Sequence, residues 1–207
     1  DNENSKPEAI EHISGDSFSV KELINSSEIL AIATPKTVSC VVTNSQFTLV
    51  PKALYIPSNK VDFLKQVTDL KTDEIIKEDL FLNNETVACF AMSKLQNEEL
   101  LALFPTVKTK HISSILCDSV SEGIHINFSS ELSYEIVIKK SKQLKYFNRF
   151  SFENEEESMY FLSLIAEEHK LNLTKEKLHL SGKIFSDSTT LSFWKQFIPS
   201  ENIIFND

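Results

Sequence analysis

The chain has 207 residues, of which 41% are hydrophobic and 10% aromatic, enough for an ordinary packed core in one large domain or two small ones. Its net charge of −9 argues against binding to nucleic acid backbones or anionic membranes. With only three glycines, it also lacks the glycine-rich loops that bind nucleotide phosphates closely.

The N-terminal region carries few structural signals. Residues 1–16 are polar and charged, which predicts a tail that does not fold by itself. The apolar spacing from Val20 to Ile32 predicts a short helix that ends before Pro35. No apolar run is long enough for a membrane span and no signal peptide is visible, so we expect a cytoplasmic protein. The chain begins at Asp1 rather than at a methionine, which leaves open whether a segment precedes it.

Two strands and a helix are predicted next. The β-branched run from Val38 to Val42 indicates one strand, and Phe47 to Val50, ending at Pro51, indicates another. Ser58 is a favourable N-cap for the helix that follows, whose apolar face consists of Val61, Phe63, Leu64 and Val67.

A hairpin and a second helix complete the first half. The turn-type residues 83–85 separate the apolar runs Leu80–Leu82 and Val87–Met92, which is typical of a β-hairpin. Ser93 and Gln96 then form a capping-box pair, which predicts a helix that continues to Pro105.

The second half has a clearer pattern. We predict three strands, a helix, a strand, a helix and a last strand, at 124–128, 134–138, 144–152, 155–170, 177–180, 188–197 and 203–205. Three antiparallel strands followed by two crossover helices and two more strands build one mixed sheet with helices packed on it. This β-β-β-α-β-α-β order is that of a ribonuclease-H-like subdomain.

Four blocks of sequence resemble a known family: 47–55, 111–116, 147–152 with the helix from Glu155, and 180–184. Together they resemble an uncharacterised bacterial family described only as a domain of unknown function. Its members are similar in fold to actin-like ATPases. The resemblance begins at about residue 17 and implies an α/β protein with mixed sheets and two ribonuclease-H-like subdomains, 17–120 and 121–207.

The resemblance also shows where this sequence departs from nucleotide-binding relatives. The first subdomain lacks the opening hairpin that holds the first phosphate loop. The second phosphate loop is expected between the first two strands of the second half, where this chain has Asn127, Ser129 and Ser130 but no glycine and no leading aspartate. A tight backbone cradle and the usual carboxylate near the metal are therefore both missing.

The adenosine contact of such folds follows a strand with a pair of glycines, and this chain has Ser181 and Gly182 there. The competing interpretation is that Gly182 serves only a strand terminus that needs one permissive residue. We favour that interpretation and expect no cofactor, with ATP and Mg²⁺ as the alternative.

Other reactive side chains have structural interpretations. Cys40, Cys89 and Cys117 lie among apolar neighbours and are expected to be reduced, buried thiols rather than disulfide partners or metal ligands. The spacing of His111 from Cys117 fits no known zinc motif. We predict that His111, like His125 and His179, is a core or surface histidine, and that the glutamates at 155–157 and 167–168 form a solvated helix face.

One local cluster is basic. It lies on the second hairpin of the second half, is interleaved with aromatic residues, and consists of Lys139, Lys140, Lys142, Lys145 and Arg149. A nucleic-acid interface is one interpretation. The other interpretation is that these lysines keep a hairpin turn and an edge strand soluble. The negative net charge of the chain favours this second interpretation.

These observations predict a cytoplasmic protein of actin-like ATPase fold without a working nucleotide site, acting through an unidentified protein partner. We lean against an enzyme. Two alternatives stay open at this stage: a divergent ATPase whose first phosphate loop lies outside this chain, and an RNA-associated factor.

Overall fold

The computed structural model describes residues 19–28 and 37–206, and the chain divides into two compact units, Asp1–Ile112 and Ser113–Asp207. The predicted polar tail, 1–16, lies outside the described residues, as does the end of the predicted first helix. Among the described residues, no helix has the length and apolar character needed to cross a membrane. The division into ribonuclease-H-like subdomains at residue 120 stays a prediction.

In its described part, the first unit contains a three-stranded antiparallel sheet and a two-stranded parallel sheet. The antiparallel sheet has the order β2 (Phe47–Pro51), β4 (Thr86–Ser93), β3 (Glu74–Phe81), and the parallel pair is β1 (Ser39–Val42) with β5 (Lys108–His111). The central strand β4 is buried from Val87 to Met92 because both of its faces are covered, as its continuous apolar run suggests. The elements in chain order are α1 (Val20–Ser26), β1 (Ser39–Val42), β2 (Phe47–Pro51), α2 (Lys60–Lys65), β3 (Glu74–Phe81), β4 (Thr86–Ser93), α3 (Lys94–Leu103) and β5 (Lys108–His111).

Most of the predicted elements of this unit are present, including the hairpin, whose turn places Leu82, Asn83 and Asn84 at positive φ. The Ser93 hydroxyl caps α3 by accepting from the backbone N–H of Gln96. The prediction that Ser58 caps α2 is wrong, because Asn59 holds the N-cap position and no side-chain hydrogen bond caps the helix.

Two elements were not predicted from the sequence. Strand β5 is polar, and its strand conformation comes from pairing in parallel with β1, so it has no apolar alternation of its own. Helix α4 (Ile112–Ser119) follows it directly, at the boundary between the units, and lacks a sequence start signal.

In its described part, the second unit has one five-stranded mixed sheet, whose strands in spatial order are β10 (Ile203–Phe205), β9 (Leu178–Gly182), β6 (Gly123–Ser130), β7 (Ser133–Lys140) and β8 (Gln143–Ser151). Strands β6, β7 and β8 form the predicted antiparallel meander, and β9 and β10 run parallel to β6 after one helix each. The predicted β-β-β-α-β-α-β order is therefore present. After α4 the elements are β6 (Gly123–Ser130), β7 (Ser133–Lys140), β8 (Gln143–Ser151), α5 (Glu155–Glu168), β9 (Leu178–Gly182), α6 (Thr189–Trp194) and β10 (Ile203–Phe205).

One face of this sheet carries the core of the second unit. Alternate residues of a strand point to the same face, so Ile124, Ile126 and Phe128 of β6 all join the apolar cluster. Helices α5 and α6 cover that face and contribute, among others, Leu162 and Trp194. The opposite face of the sheet carries the polar side chains of His125, Asn127 and Glu135, together with the buried Val137.

A buried hydrogen-bond cluster fixes α5 against the sheet and against α6. The Trp194 indole N–H donates to the Ser158 hydroxyl at 2.9 Å, and that hydroxyl donates to the Glu155 carbonyl at 2.7 Å. The Tyr134 hydroxyl donates to the Ser158 carbonyl at 2.6 Å. Ser158, Tyr134 and Trp194 have no exposed surface, so each of these polar groups depends on its protein partner.

We expect Ser158→Ala to lower the free energy of unfolding by about 1–3 kcal/mol, because it leaves the buried Trp194 indole N–H without an acceptor. Chemical denaturation followed by tryptophan fluorescence measures the loss. The matched control is Ser163→Ala, an exposed position on the same helix, which we expect to change stability by less than about 0.5 kcal/mol. Equal effects of the two substitutions would show that the hydrogen bond between Trp194 and Ser158 does not stabilise the fold.

Candidate functional site

Four polar residues form a row across four neighbouring strands of the second unit. The strand register sets Ser181 of β9 opposite Asn127 of β6, Asn127 opposite Glu135 of β7, and Glu135 opposite Arg149 of β8. All four lie on the face of the sheet opposite the core. The candidate nucleotide residues Asn127 and Ser181 are therefore brought together, and Arg149 joins them.

Hydrogen bonds connect every member of the row. The Ser181 hydroxyl donates to Asn127 Oδ1 at 3.1 Å, and Asn127 Nδ2 donates to Glu135 Oε2 at 2.8 Å. Arg149 Nη1 forms an ion pair with the other carboxylate oxygen, Glu135 Oε1, at 2.9 Å. Both carboxylate oxygens of Glu135 thus have a donor, which a fully buried charge requires.

A cluster of three serines extends this row to the β6–β7 turn. Arg149 Nη2 donates to the Ser133 hydroxyl at 3.3 Å. That hydroxyl lies 2.9 Å from the hydroxyl of Ser129 and 2.7 Å from that of Ser130. The predicted phosphate-loop serines therefore hydrogen-bond to the same group of side chains as Asn127. We call these seven residues the polar network: Asn127, Ser129, Ser130, Ser133, Glu135, Arg149 and Ser181.

Gly182 allows the end of β9 to approach β6 closely. Its φ is +84°, and a Cβ atom there would lie 2.3 Å from the Phe128 carbonyl oxygen and 2.9 Å from Asn127 Oδ1. The next residue, Lys183, donates its backbone N–H to the same Phe128 oxygen at 2.7 Å. The geometry of the sheet alone accounts for glycine at this position.

The five residues of the predicted basic cluster do not lie in one environment. Arg149 faces Glu135, and only 16% of its side chain is exposed. Lys139 Nζ donates to the Val120 carbonyl at 3.0 Å, and Lys145 Nζ donates to Gln143 at 2.6 Å. Lys140, the last residue of β7, and Lys142, in the turn that leads to β8, are both exposed.

The histidines singled out in the sequence lie on sheets. His111 is buried, with ring centroids 4.6 Å from Phe47 and 5.3 Å from Phe90, and its Nε2 lies 3.2 Å from the Asn44 carbonyl oxygen. His125 and His179 stack at 4.8 Å between ring centroids. Burial, followed by the proximity of His179, lowers the pKa of His125, so a neutral ring is favoured there.

The cysteines are free thiols. Cys89 and Cys117 are buried, and Cys40 is half-buried. Burial raises the pKa of Cys117 to about 12, which keeps its thiol protonated and unreactive at neutral pH. Within the described residues, no group of three or more histidine, cysteine, aspartate or glutamate side chains is arranged to hold a metal ion.

A cavity of about 380 Å³ lies at the end of the sheet where β6 turns into β7, and we call it the acidic cavity. It is bounded by the β6–β7 turn, the segment that leads from β8 into α5, and the loop that leads from β9 into α6. Four carboxylates and one ammonium group line it, from Glu131, Glu153, Glu155, Asp187 and Lys183. An excess of negative charge around a concave site disfavours anionic ligands.

Sequence reasoning missed two central members of the polar network, Glu135 and Ser133. Both alternate with apolar residues on β7, and Glu135 is the one charged residue between Ser133 and Ile138. A charged residue in such a strand is almost never fully buried unless it is paired, and this signal points to a partner on a neighbouring strand.

The fold is that of the actin-like ATPases. The chain is similar to a Bacteroides thetaiotaomicron VPI-5482 protein of unknown function with this fold, at 18% identity and a TM-score of 0.77, over 90% of this chain and 74% of that one. It is also similar to a chain of the PilM–PilN type IV pilus biogenesis complex, at 9% identity and a TM-score of 0.50, over 90% of this chain and 76% of that one.

The chain belongs to the family described as "Protein of unknown function (DUF3822)", whose profile matches residues 2–200. The resemblance recognised from the four sequence blocks is confirmed by this match. No protein with curated annotation matches the sequence significantly.

We expect Gly182→Ala to lower the free energy of unfolding by about 3 kcal/mol, because the added Cβ meets the Phe128 carbonyl and the residue must keep a positive φ. Thermal or chemical unfolding measures the loss. Gly123→Ala is the control, since that position also has positive φ, at +128°, but its nearest neighbour would be 3.6 Å from the new Cβ. A Gly182 variant as stable as the Gly123 variant would contradict a packing role for Gly182.

Arg149→Ala should destabilise the protein by about 3 kcal/mol, because it leaves the Glu135 carboxylate buried without its cation. Arg149→Lys keeps a positive charge but loses the two-pronged contact with Glu135 and Ser133, so an intermediate loss is expected. Urea denaturation measures the stability of both variants. The control is Lys140→Ala, at an exposed position on the same hairpin. If Arg149→Ala is no more destabilising than Lys140→Ala, the ion pair is not structural.

Proposed function

We propose that this protein is a cytoplasmic protein-interaction or scaffold module of actin-like ATPase fold that does not bind or hydrolyse nucleotide. The observation that carries the proposal is the polar network. Asn127, Ser129, Ser130 and Ser181, the residues expected to contact a nucleotide, hydrogen-bond instead to one another or to Glu135 and Ser133.

Binding a phosphate through these groups would carry an energetic cost. A phosphate that recruited Asn127 Nδ2 or the Arg149 guanidinium would take a donor from Glu135, which is fully buried. A buried carboxylate left without donors costs several kcal/mol, more than one phosphate contact returns. The network therefore favours its closed arrangement over a nucleotide.

Electrostatics around the network support the same proposal. Glu131, directly after Ser130, and Asp187, in the loop after β9, both line the acidic cavity. A nucleotide triphosphate with its phosphates near this turn would meet these carboxylates, and like charges at short range repel. The single lysine of the cavity, Lys183, does not offset four carboxylates.

The comparison with solved structures supports the proposed role in protein interaction. The PilM–PilN structure is described as a type IV pilus biogenesis complex, so a protein of this architecture works within a protein assembly. Because its sequence identity to this chain is 9%, the similarity suggests a class of role and does not identify a partner.

We expect ATP or ADP with Mg²⁺, at millimolar concentration, to leave the unfolding temperature of the protein unchanged. A ligand that binds only the native state stabilises it by about 2.7 kcal/mol at 100 times its Kd, so binding with a Kd in the tens of micromolar would be visible. Isothermal titration calorimetry on the same sample provides an independent readout.

A clear stabilisation by nucleotide would overturn the proposal in favour of the divergent ATPase. The variant Ser181→Ala would then show whether the nucleotide occupies the predicted position, because it removes a hydroxyl from the network and leaves Glu135 paired. Stabilisation by RNA alone would point to the RNA-associated alternative.

A further inference from the structure

The acidic cavity has walls that are fixed by hydrogen bonds. The Asn154 side chain caps α5 by accepting from the Glu157 N–H at 2.9 Å, and the Ser188 side chain caps α6 by accepting from the Leu191 N–H at 3.2 Å. In the loop between β9 and α6, the Ser188 N–H donates to the Phe185 carbonyl at 3.0 Å. A cavity with preformed walls loses little conformational entropy when a ligand binds.

The charges of this cavity have few partners. Among the described residues, Glu131, Glu153 and Asp187 form no ion pair, and all three are exposed. Glu155 accepts a hydrogen bond from the Thr189 side chain, and this contact, followed by one from its own backbone N–H, lowers the pKa of its carboxyl. The exposed carboxylates of Glu131, Glu153 and Asp187 are therefore accessible to a cation from a partner.

Apolar side chains stand beside these carboxylates. Leu132 at the β6–β7 turn is 54% exposed, and Phe185 in the loop after β9 is 71% exposed. Both line the same cavity, while the buried Phe152 lies in its wall. Exposed leucine and phenylalanine around a concave site are typical of a surface that contacts another protein, with the aromatic ring as an anchor.

We propose that the acidic cavity binds a short segment of a partner protein that presents lysine or arginine next to a large apolar side chain. The proposal rests on the proposed interaction function and names the chemistry of the partner. Charge complementarity selects the cation, since four carboxylates surround the cavity with one lysine. Leu132 and Phe185 select the apolar neighbour of that cation.

The size of the cavity fits such a segment. A volume of about 380 Å³ is near the lower end of the range for ligand pockets and accommodates one or two side chains rather than a folded domain. A nucleic acid or an anionic lipid surface presents phosphates, which the same carboxylates repel. A cationic segment of a protein is therefore the occupant that both the volume and the charge favour.

Three blocked peptides test this inference on the full chain by NMR titration of ¹⁵N-labelled protein. They contain Lys-Leu-Phe-Lys, Glu-Leu-Phe-Glu and Lys-Ser-Ser-Lys. We expect saturable shifts of the backbone amides of Leu132, Phe185 and Asp187 with the first peptide alone, at a Kd below about 1 mM. Added salt should weaken this binding, because screening reduces attraction between exposed charges.

Variants then assign the binding to the cavity. Glu131→Gln with Asp187→Asn should raise the Kd about fivefold, and Phe185→Ala should raise it by a similar factor. The matched controls are Glu176→Gln with Glu201→Gln, and Phe197→Ala, which alter exposed residues of the same unit outside the cavity and should leave the Kd unchanged.

The outcomes separate this inference from the proposed function. No saturable shift with the first peptide, equal binding of all three, or binding that Phe185→Ala leaves intact would each overturn the cavity assignment. The interaction role would still stand if Mg²⁺ with ATP also fails to bind the same sample. Nucleotide binding without peptide binding would overturn both proposals.

Discussion

The burial of one charge organises the second unit. Glu135 lies in the middle of the sheet with no exposed surface, and its two oxygens accept from Asn127 at 2.8 Å and from Arg149 at 2.9 Å. A carboxylate in that environment is tolerated only with such donors, because removal from water costs several kcal/mol. The chain has a single arginine, and it lies directly opposite this glutamate. Strands β6, β7 and β8 are thus held in one register by charge as well as by backbone hydrogen bonds.

The network around Glu135 is the basis for the proposal that this chain does not bind nucleotide. Its side chains hydrogen-bond to one another, and the acidic cavity carries a surplus of carboxylates. Both features disfavour phosphate, and the second favours a cation. The proposed occupant of the acidic cavity is therefore a basic, apolar protein segment. The fold fixes where a ligand can approach, and the residues at that place decide which ligand it is.

Sequence reasoning recovered the architecture better than the site. Apolar residues and turn residues predicted the order of all five strands in the second unit, because each strand there contains apolar residues of its own. Strand β5 was not predicted, because its sequence, Lys-Thr-Lys-His, has no apolar alternation and forms a strand by pairing with β1. Asn127 and Ser181 were predicted as candidate nucleotide contacts, and Arg149 was predicted as part of a basic cluster. Their juxtaposition depends on register across four strands, and register is a tertiary property that local patterns do not encode.

The most direct test of the closed polar network is the NMR signal of the Asn127 side-chain amide during a titration with Mg²⁺ and ATP. Because that amide donates to the buried Glu135, we predict slow exchange with solvent and no change in its chemical shift up to millimolar nucleotide. A saturable shift of the Asn127 amide, accompanied by shifts at Ser181 and Gly182, would show that the network opens for a nucleotide and would contradict the proposed function.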